Sequence, residues 1–169
     1  MPERPSGTTK PADMRYSLRI GQFMHFIRIP DPDLIPRLLK EFPEFQSRWE
    51  EHLAYWKDET PGAYLDMAEF VHFVVEDLYQ KEQTERLRDA FALMEALFAN
   101  GNETTKAFLA WGFFETLQNF ASNQPCGSKV FEPFLGPMSR QVWLDIEELW
   151  QGKSSLMDVI RAERKSQQE

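Results

Sequence analysis

The sequence predicts an all-α fold, a single-domain bundle of about six or seven helices built around a repeat-like antiparallel helical hairpin. Three observations lead there. Apolar residues recur at three- and four-residue spacing through most of the chain after Pro43. Proline and glycine pairs with capping residues punctuate those stretches at positions that start or stop helices. With 169 residues, 14% of them aromatic, there is enough bulky apolar material for one full core.

The elements follow in order. Met1 to about Met14 is proline-rich and polar and is expected to be a mobile tail, leaving residues 15–169 as the helical domain. From Arg15 to Ile29 the pattern alternates at Tyr16, Leu18 and Ile20, then shifts to helical spacing at Phe23, Met24 and Ile27, which reads as helix. Asp31-Pro32 supplies an N-cap and a first-turn proline for a short helix carrying Leu34, Ile35, Leu38 and Leu39. Pro43 ends it and begins another, with Phe45, Trp49, His52, Leu53 and Trp56 on one stripe. Thr60-Pro61 repeats the cap-and-proline signal and opens a strongly amphipathic helix to Lys81, with Tyr64, Met67, Ala68, Val71, Val74, Val75 and Leu78 facing the core.

The next helix, about Gln83 to Ala99, carries Leu87, Ala90, Phe91, Met94, Leu97 and Phe98. Asn100-Gly101-Asn102 then turns the chain, with Gly101 expected in the left-handed conformation and Asn102 as the next N-cap. The second arm of this hairpin, Glu103 to Ala121, presents Ala107, Leu109, Phe113, Phe114, Leu117 and Phe120 on a broad face. Phe108 and Trp111 fall to another side, and Gly112 suggests a closely approaching backbone. Ser122 to Leu135 reads as a loop pinned by Phe131 and Phe134. Gly136-Pro137 starts a helix with Met138, Val142, Trp143, Ile146, Leu149 and Trp150, which Gly152 is expected to stop. Ser155 and Asp158 resemble a capping box for a terminal helix.

Charge is unevenly placed. Residues 1–40 carry seven basic and four acidic groups, residues 41–100 five and fourteen, residues 101–150 three and six, and residues 151–169 four and three, within a net charge of −8. An acidic middle block repels phosphate backbones and attracts cationic proteins, so nucleic acid is disfavoured as a partner. No apolar run approaches the roughly 20 residues needed to span a bilayer, and the mean hydropathy is −0.51. With a polar beginning and a single cysteine, Cys126, a cytoplasmic location is the default expectation.

Within the acidic block, Phe73 has Asp66, Glu69, Glu76 and Asp77 at positions minus seven, minus four, plus three and plus four, which places all four on its own side of a helix. Phe73 is surplus to the core stripe. Either another segment covers it, or it is an aromatic anchor with a charged rim awaiting a partner. These five residues are the candidate partner-binding set.

Other chemistry is thin. Glu69-Phe70-Val71-His72 matches the Glu-x-x-His unit of di-metal carboxylate bundles, but Trp49 and Gln22 precede His52 and His25 where a second glutamate would stand. Cys126 has no histidine close in sequence to activate it. Nucleophile elbows and phosphate-binding loops are missing, and Glu50-Glu51 and Glu147-Glu148 diverge as neighbours on a helix do. The expectation is therefore no catalytic residue, no cofactor and no metal.

A starting segment Phe42-Pro43-Glu44-Phe45 leads to the run Ala90-Phe91-Ala92-Leu93-Met94-Glu95-Ala96-Leu97-Phe98, the Asn100-Gly101-Asn102 turn, Phe114-Glu115-Thr116-Leu117, and Leu135-Gly136-Pro137 before Trp143. Together they resemble a widespread group of small, uncharacterised bacterial helical proteins, some of which look like immunity proteins of toxin systems. The resemblance spans about residues 41 to 151 and rests on packing and capping residues. It implies a helical fold and, for function, a non-enzymatic cytoplasmic immunity protein that neutralises a cognate toxin by direct binding; the acidic middle block points to a basic one. The alternative is a structural or adaptor scaffold, with a homodimer through Phe108 and Trp111 as its form.

Overall fold

The computed structural model describes residues 32–166, with side chains described through residue 152. Among these residues the architecture is entirely helical: α1 (Leu34–Glu41), α2 (Gln46–Trp56), α3 (Ala63–His72), α4 (Thr84–Asn100), α5 (Glu103–Phe108), α6 (Thr116–Ser122) and α7 (Pro137–Ser166). Short 3₁₀ turns occupy Pro43–Phe45 and Lys129–Phe134. The expected tail over residues 1–14 and helix over residues 15–29 lie outside the described residues.

Two stretches of wider, π-type winding shape the bundle. One, Phe73–Tyr79, continues α3; the other, Leu109–Glu115, joins α5 to α6 into one long arm. In the first, the Gln80 amide donates to the Val75 carbonyl at 2.9 Å, a five-residue step. Phe70 in regular α3 and Phe73 at the first position of this stretch lie inside with Met67, Val71, Val74, Val75 and Leu78, because Phe42 and Phe45 cover their side of the helix. A regular 3.6-residue period misses this.

The long arm from α5 to α6 is central, as its broad apolar pattern predicts. It packs against α3 and α7, and α4 closes the other side against α7 and the π segment of α3. Phe113 meets Phe70, Phe91 and Phe114 at ring separations of 6.2, 6.0 and 5.1 Å, joining three elements at one point. Phe131 pins the connecting loop against Phe91 and Tyr79. Each fully buried phenylalanine contributes about 1.5–3 kcal/mol relative to exposure.

Several local expectations change. The Asn100-Gly101-Asn102 turn forms, and Asn102 caps α5 by accepting from the Thr105 N–H at 2.9 Å. Gly101, however, is extended (φ −75°) rather than left-handed. Its lack of a side chain serves close packing, since a Cβ would lie 2.7 Å from the Leu97 carbonyl. What approaches Gly112 is the Phe108 ring rather than a backbone; the ring lies 3.2 Å from where a Cβ on residue 112 would stand. α3 begins at Ala63, behind Gly62 at φ +90°, instead of at Thr60-Pro61. Gly152 does not stop α7, which runs through it to Ser166, so Ser155 lies inside that helix. One glycine costs a helix only about 1 kcal/mol, and the surrounding residues are ordinary helix formers.

The Gly136-Pro137 start is sharp for a different reason. Glu95 reaches across from α4 and accepts hydrogen bonds from the Met138 and Ser139 amides, both at 2.8 Å, capping α7 from outside. A Cβ at residue 136 would sit 2.5 Å from Glu95 Cδ, so glycine there makes room for the capping carboxylate.

Candidate binding surface

The five residues of the acid-ringed set lie together on α3 and its π continuation, but Phe73 at their centre does not face solvent: it is 1% exposed. The segment directly before and within α2 covers it. Phe45 and Phe42 stand 5.3 and 6.2 Å from its ring, and Phe70 5.7 Å. Phe42 and Phe45 are three residues apart, as are Phe70 and Phe73, so two pairs of rings interlock. The reading of Phe73 as an exposed anchor is therefore corrected; it is a core residue.

The acids around it are engaged in the same way, by the same segment one and two turns further on. The Arg48 guanidinium donates to Glu76 at 2.8 Å and Asp77 at 2.9 Å, and comes within 4.0 Å of Glu69. His52 Nε2 lies 2.8 Å from Asp66, and its Nδ1 3.8 Å from Glu69. Lys81 adds a 2.5 Å contact to Asp77 from the next turn of the helix. The ring does attract a cation beside an aromatic, but the chain supplies both.

Protonation follows from this geometry. Burial works against the Arg48 charge, yet hydrogen bonds and charge from Asp77 and Glu76 outweigh it and hold its pKa above the ordinary arginine value. Burial likewise works against ionised Asp77, and Lys81 and Arg48 overcome it, holding the carboxyl below its ordinary range. A second latch holds the covering segment from α4. Arg86 bonds Glu44 at 2.5 Å and the Glu41 carbonyl at 2.9 Å, and lies 4.5 Å over the Phe42 ring. The sequence reading missed both Arg48 and Arg86; a basic residue one turn after Phe45 was the available signal for the first.

Glu69 Oε1 and His72 Nδ1 are 3.7 Å apart, and the His72 ring lies tilted against Phe120 with ring centres 4.3 Å apart. Among the described residues, no group of three histidine, cysteine, aspartate or glutamate side chains is placed to hold a metal ion. Phe108 is also reassigned. It is 3% exposed and packs against Tyr64 at 4.9 Å, so it offers no dimer surface, and Trp111 is only partly exposed.

What does face solvent is the other side of α2. Only His52 is buried in that helix, because α2 rests on α3 through Arg48, Trp49 and His52 and turns the rest outward. Leu53, expected in the core stripe, is 45% exposed, and Tyr55 is 79% exposed. Leu65, beside Asp66 on the first turn of α3, is 44% exposed. The His52–Asp66 contact brings these two helix ends together, with Trp56 half-buried between His52 and Tyr55 at 6.5 and 5.5 Å. Glu50 and Glu51 on α2 and Asp58 and Glu59 in the turn after it are all exposed, with Lys57 among them. Among the described residues no ion pair engages those four acids.

No helix among the described residues is long and apolar enough to cross a membrane. No curated protein and no solved structure matches the chain. The model of one family, described as a domain of unknown function (DUF7674), matches residues 35–151, which takes in every helix from α1 into α7 together with the Phe42–Phe45 cover and the α2–α3 corner, and the chain belongs to that family.

Proposed function

We propose that this chain is a non-enzymatic protein-binding domain whose partner is a basic protein, most concretely a toxin that it neutralises in the cytoplasm of a bacterium. The observation that carries this reading is the corner of α2 and α3. Tyr55 is large and 79% exposed near the end of α2, Glu51 stands one helical turn before it on the same side, and Asp58 and Glu59 are exposed in the turn that follows. Aromatic centres with charged rims supply affinity from the buried centre and encounter rate from the rim. This moves the proposed contact from the Phe73 ring to its outer neighbour, because Arg48 and His52 already engage the ring.

The test is co-expression with the product of the adjacent gene. A basic neighbour that arrests growth alone, is relieved by this chain and co-purifies with it supports neutralisation. Tyr55→Arg combined with Glu51→Lys should abolish both relief and co-purification while leaving the helical signal intact. Binding without relief of any growth defect would favour an adaptor, and undiminished relief by the double variant would place the contact elsewhere.

A further inference from the structure

We propose that the groove between α4 and the loop leading into α7 binds a small organic acid, its ionised carboxylate on Arg88 and its apolar body along the alanines of α4. The groove holds about 550 Å³, within the range of roughly 300–1,000 Å³ usual for small-molecule sites. One wall is a single face of α4, because Arg88, Ala92, Glu95, Ala96 and Ala99 follow one another at helical spacing. The chain from Pro133 to Gly136 forms the other wall. Ala92, Ala96 and Ala99 are exposed and reach no further than a methyl group, which leaves a trough where longer side chains would meet Pro133 and Phe134. Phe91, in the same lining, is 1% exposed and lies 5.7 Å from the half-buried Phe134 ring, so the base of the trough is aromatic.

The small residues make the space, and charge selects what fits it. Glu95 and Arg88 are the ionised side chains of the lining. Glu95 is already engaged: one oxygen accepts from the Met138 amide and the other from the Ser139 amide, at the positive end of α7. Burial opposes its charge, yet the Ser139 and Met138 donors outweigh that and hold its carboxyl below the ordinary range. A cationic ligand would therefore find no free carboxylate here. Arg88 is exposed, and among the described residues its guanidinium makes no hydrogen bond or ion pair, unlike those of Arg48, Arg86 and Arg140. A guanidinium fork matches a carboxylate with two parallel N–H donors. Arg88 and Glu95 stand two turns apart, about 10 Å along the helix, so an anion on Arg88 keeps clear of Glu95. An apolar body running past Ala92 and Phe134 leaves water for the lining. The groove is built from other elements than the Tyr55 end of α2, and its ligand does not rest on the function proposed above.

Titration of the full-length protein with 4-phenylbutyrate, followed by amide chemical shifts, tests the site. Shifts should saturate and concentrate on Arg88, Ala92, Ala96 and residues 134–136. The neutral analogue 4-phenylbutanamide should bind about tenfold more weakly, and Arg88→Gln should weaken the acid by about the same factor while leaving the amide unchanged. Ala96→Phe, at an exposed position, should fill the trough and abolish binding of both compounds with the helical signal intact. Equal affinity for acid and amide would overturn the assignment, as would Arg88→Gln binding the acid as the parent does. Shifts that never saturate, or that leave Ala92 and Ala96 unmoved, would overturn the site itself. These results are read without any protein partner, so they stand apart from the co-expression test.

Discussion

Arg48 lies between Glu76 and Asp77, donating to one at 2.8 Å and the other at 2.9 Å, and it fills the acid ring that the α3 sequence displays. Replacing it with methionine keeps much of the stem packing but leaves Glu76 without its cation and Asp77 with Lys81 alone. The site is partly exposed, with about a quarter of Arg48 accessible, so solvent screening limits the loss. A destabilisation of about 1–2 kcal/mol is expected, read from the midpoint of urea unfolding.

Phe73 and Tyr55 should respond in opposite ways to truncation. Phe73→Ala empties a fully buried site among three other rings, and about 3–5 kcal/mol is expected to be lost. Tyr55→Ala, at 79% exposure, should change stability by less than about 0.5 kcal/mol. Thermal unfolding of the two variants side by side separates the core residue from the surface one.

Acid should weaken the fold through identifiable carboxylates. Arg86 holds Glu44 below its ordinary range; Asp77 and Glu95 are also held low, in each case against burial, by Lys81 and Arg48 and by the Ser139 and Met138 donors respectively. Their unfolded forms therefore bind protons more readily than their folded forms. The stability they contribute is fully present above the unfolded values of about 4 and is lost as pH falls through the lower folded values. Denaturant midpoints measured from neutral pH downward should fall in that window, and Asp77→Asn should flatten part of the slope.

Glu95 and Gly136 should behave as a coupled pair. Glu95→Ala removes the external cap of α7 at a cost of about 0.5–2 kcal/mol. Gly136→Ala places a methyl where the Glu95 carboxylate sits and should displace it. The double variant should cost less than the sum of the singles, a sub-additivity that a double-mutant cycle on unfolding free energies detects.

The parts of this architecture that are legible in sequence are those set by local chemistry. The Asn102 cap, the α4–α5 turn and the buried faces of α4 and of the long arm from α5 to α6 depend on residues within a few positions of one another, whereas the start at Pro137, though legible, is capped by the distant Glu95. What is not legible depends on distant segments. Phe73 looks surplus on a 3.6-residue stripe, but its cover comes from Phe42 and Phe45, some thirty residues earlier. Leu53 looks internal because its spacing matches Trp49 and Trp56, yet α2 meets the bundle on a narrow polar edge formed by Arg48 and His52. The acidic ring is legible as a cation-binding feature, but whether the cation comes from inside or outside the chain is not.

The proposal that a basic partner sits on the α2–α3 corner is tested most directly by the exchange footprint of the co-purified complex against the free protein. Added protection concentrated on the C-terminal half of α2, the turn through Asp58 and Glu59, and the first turn of α3 is the predicted result. Protection confined to α4 or α7, with the corner exchanging as in the free chain, would contradict it.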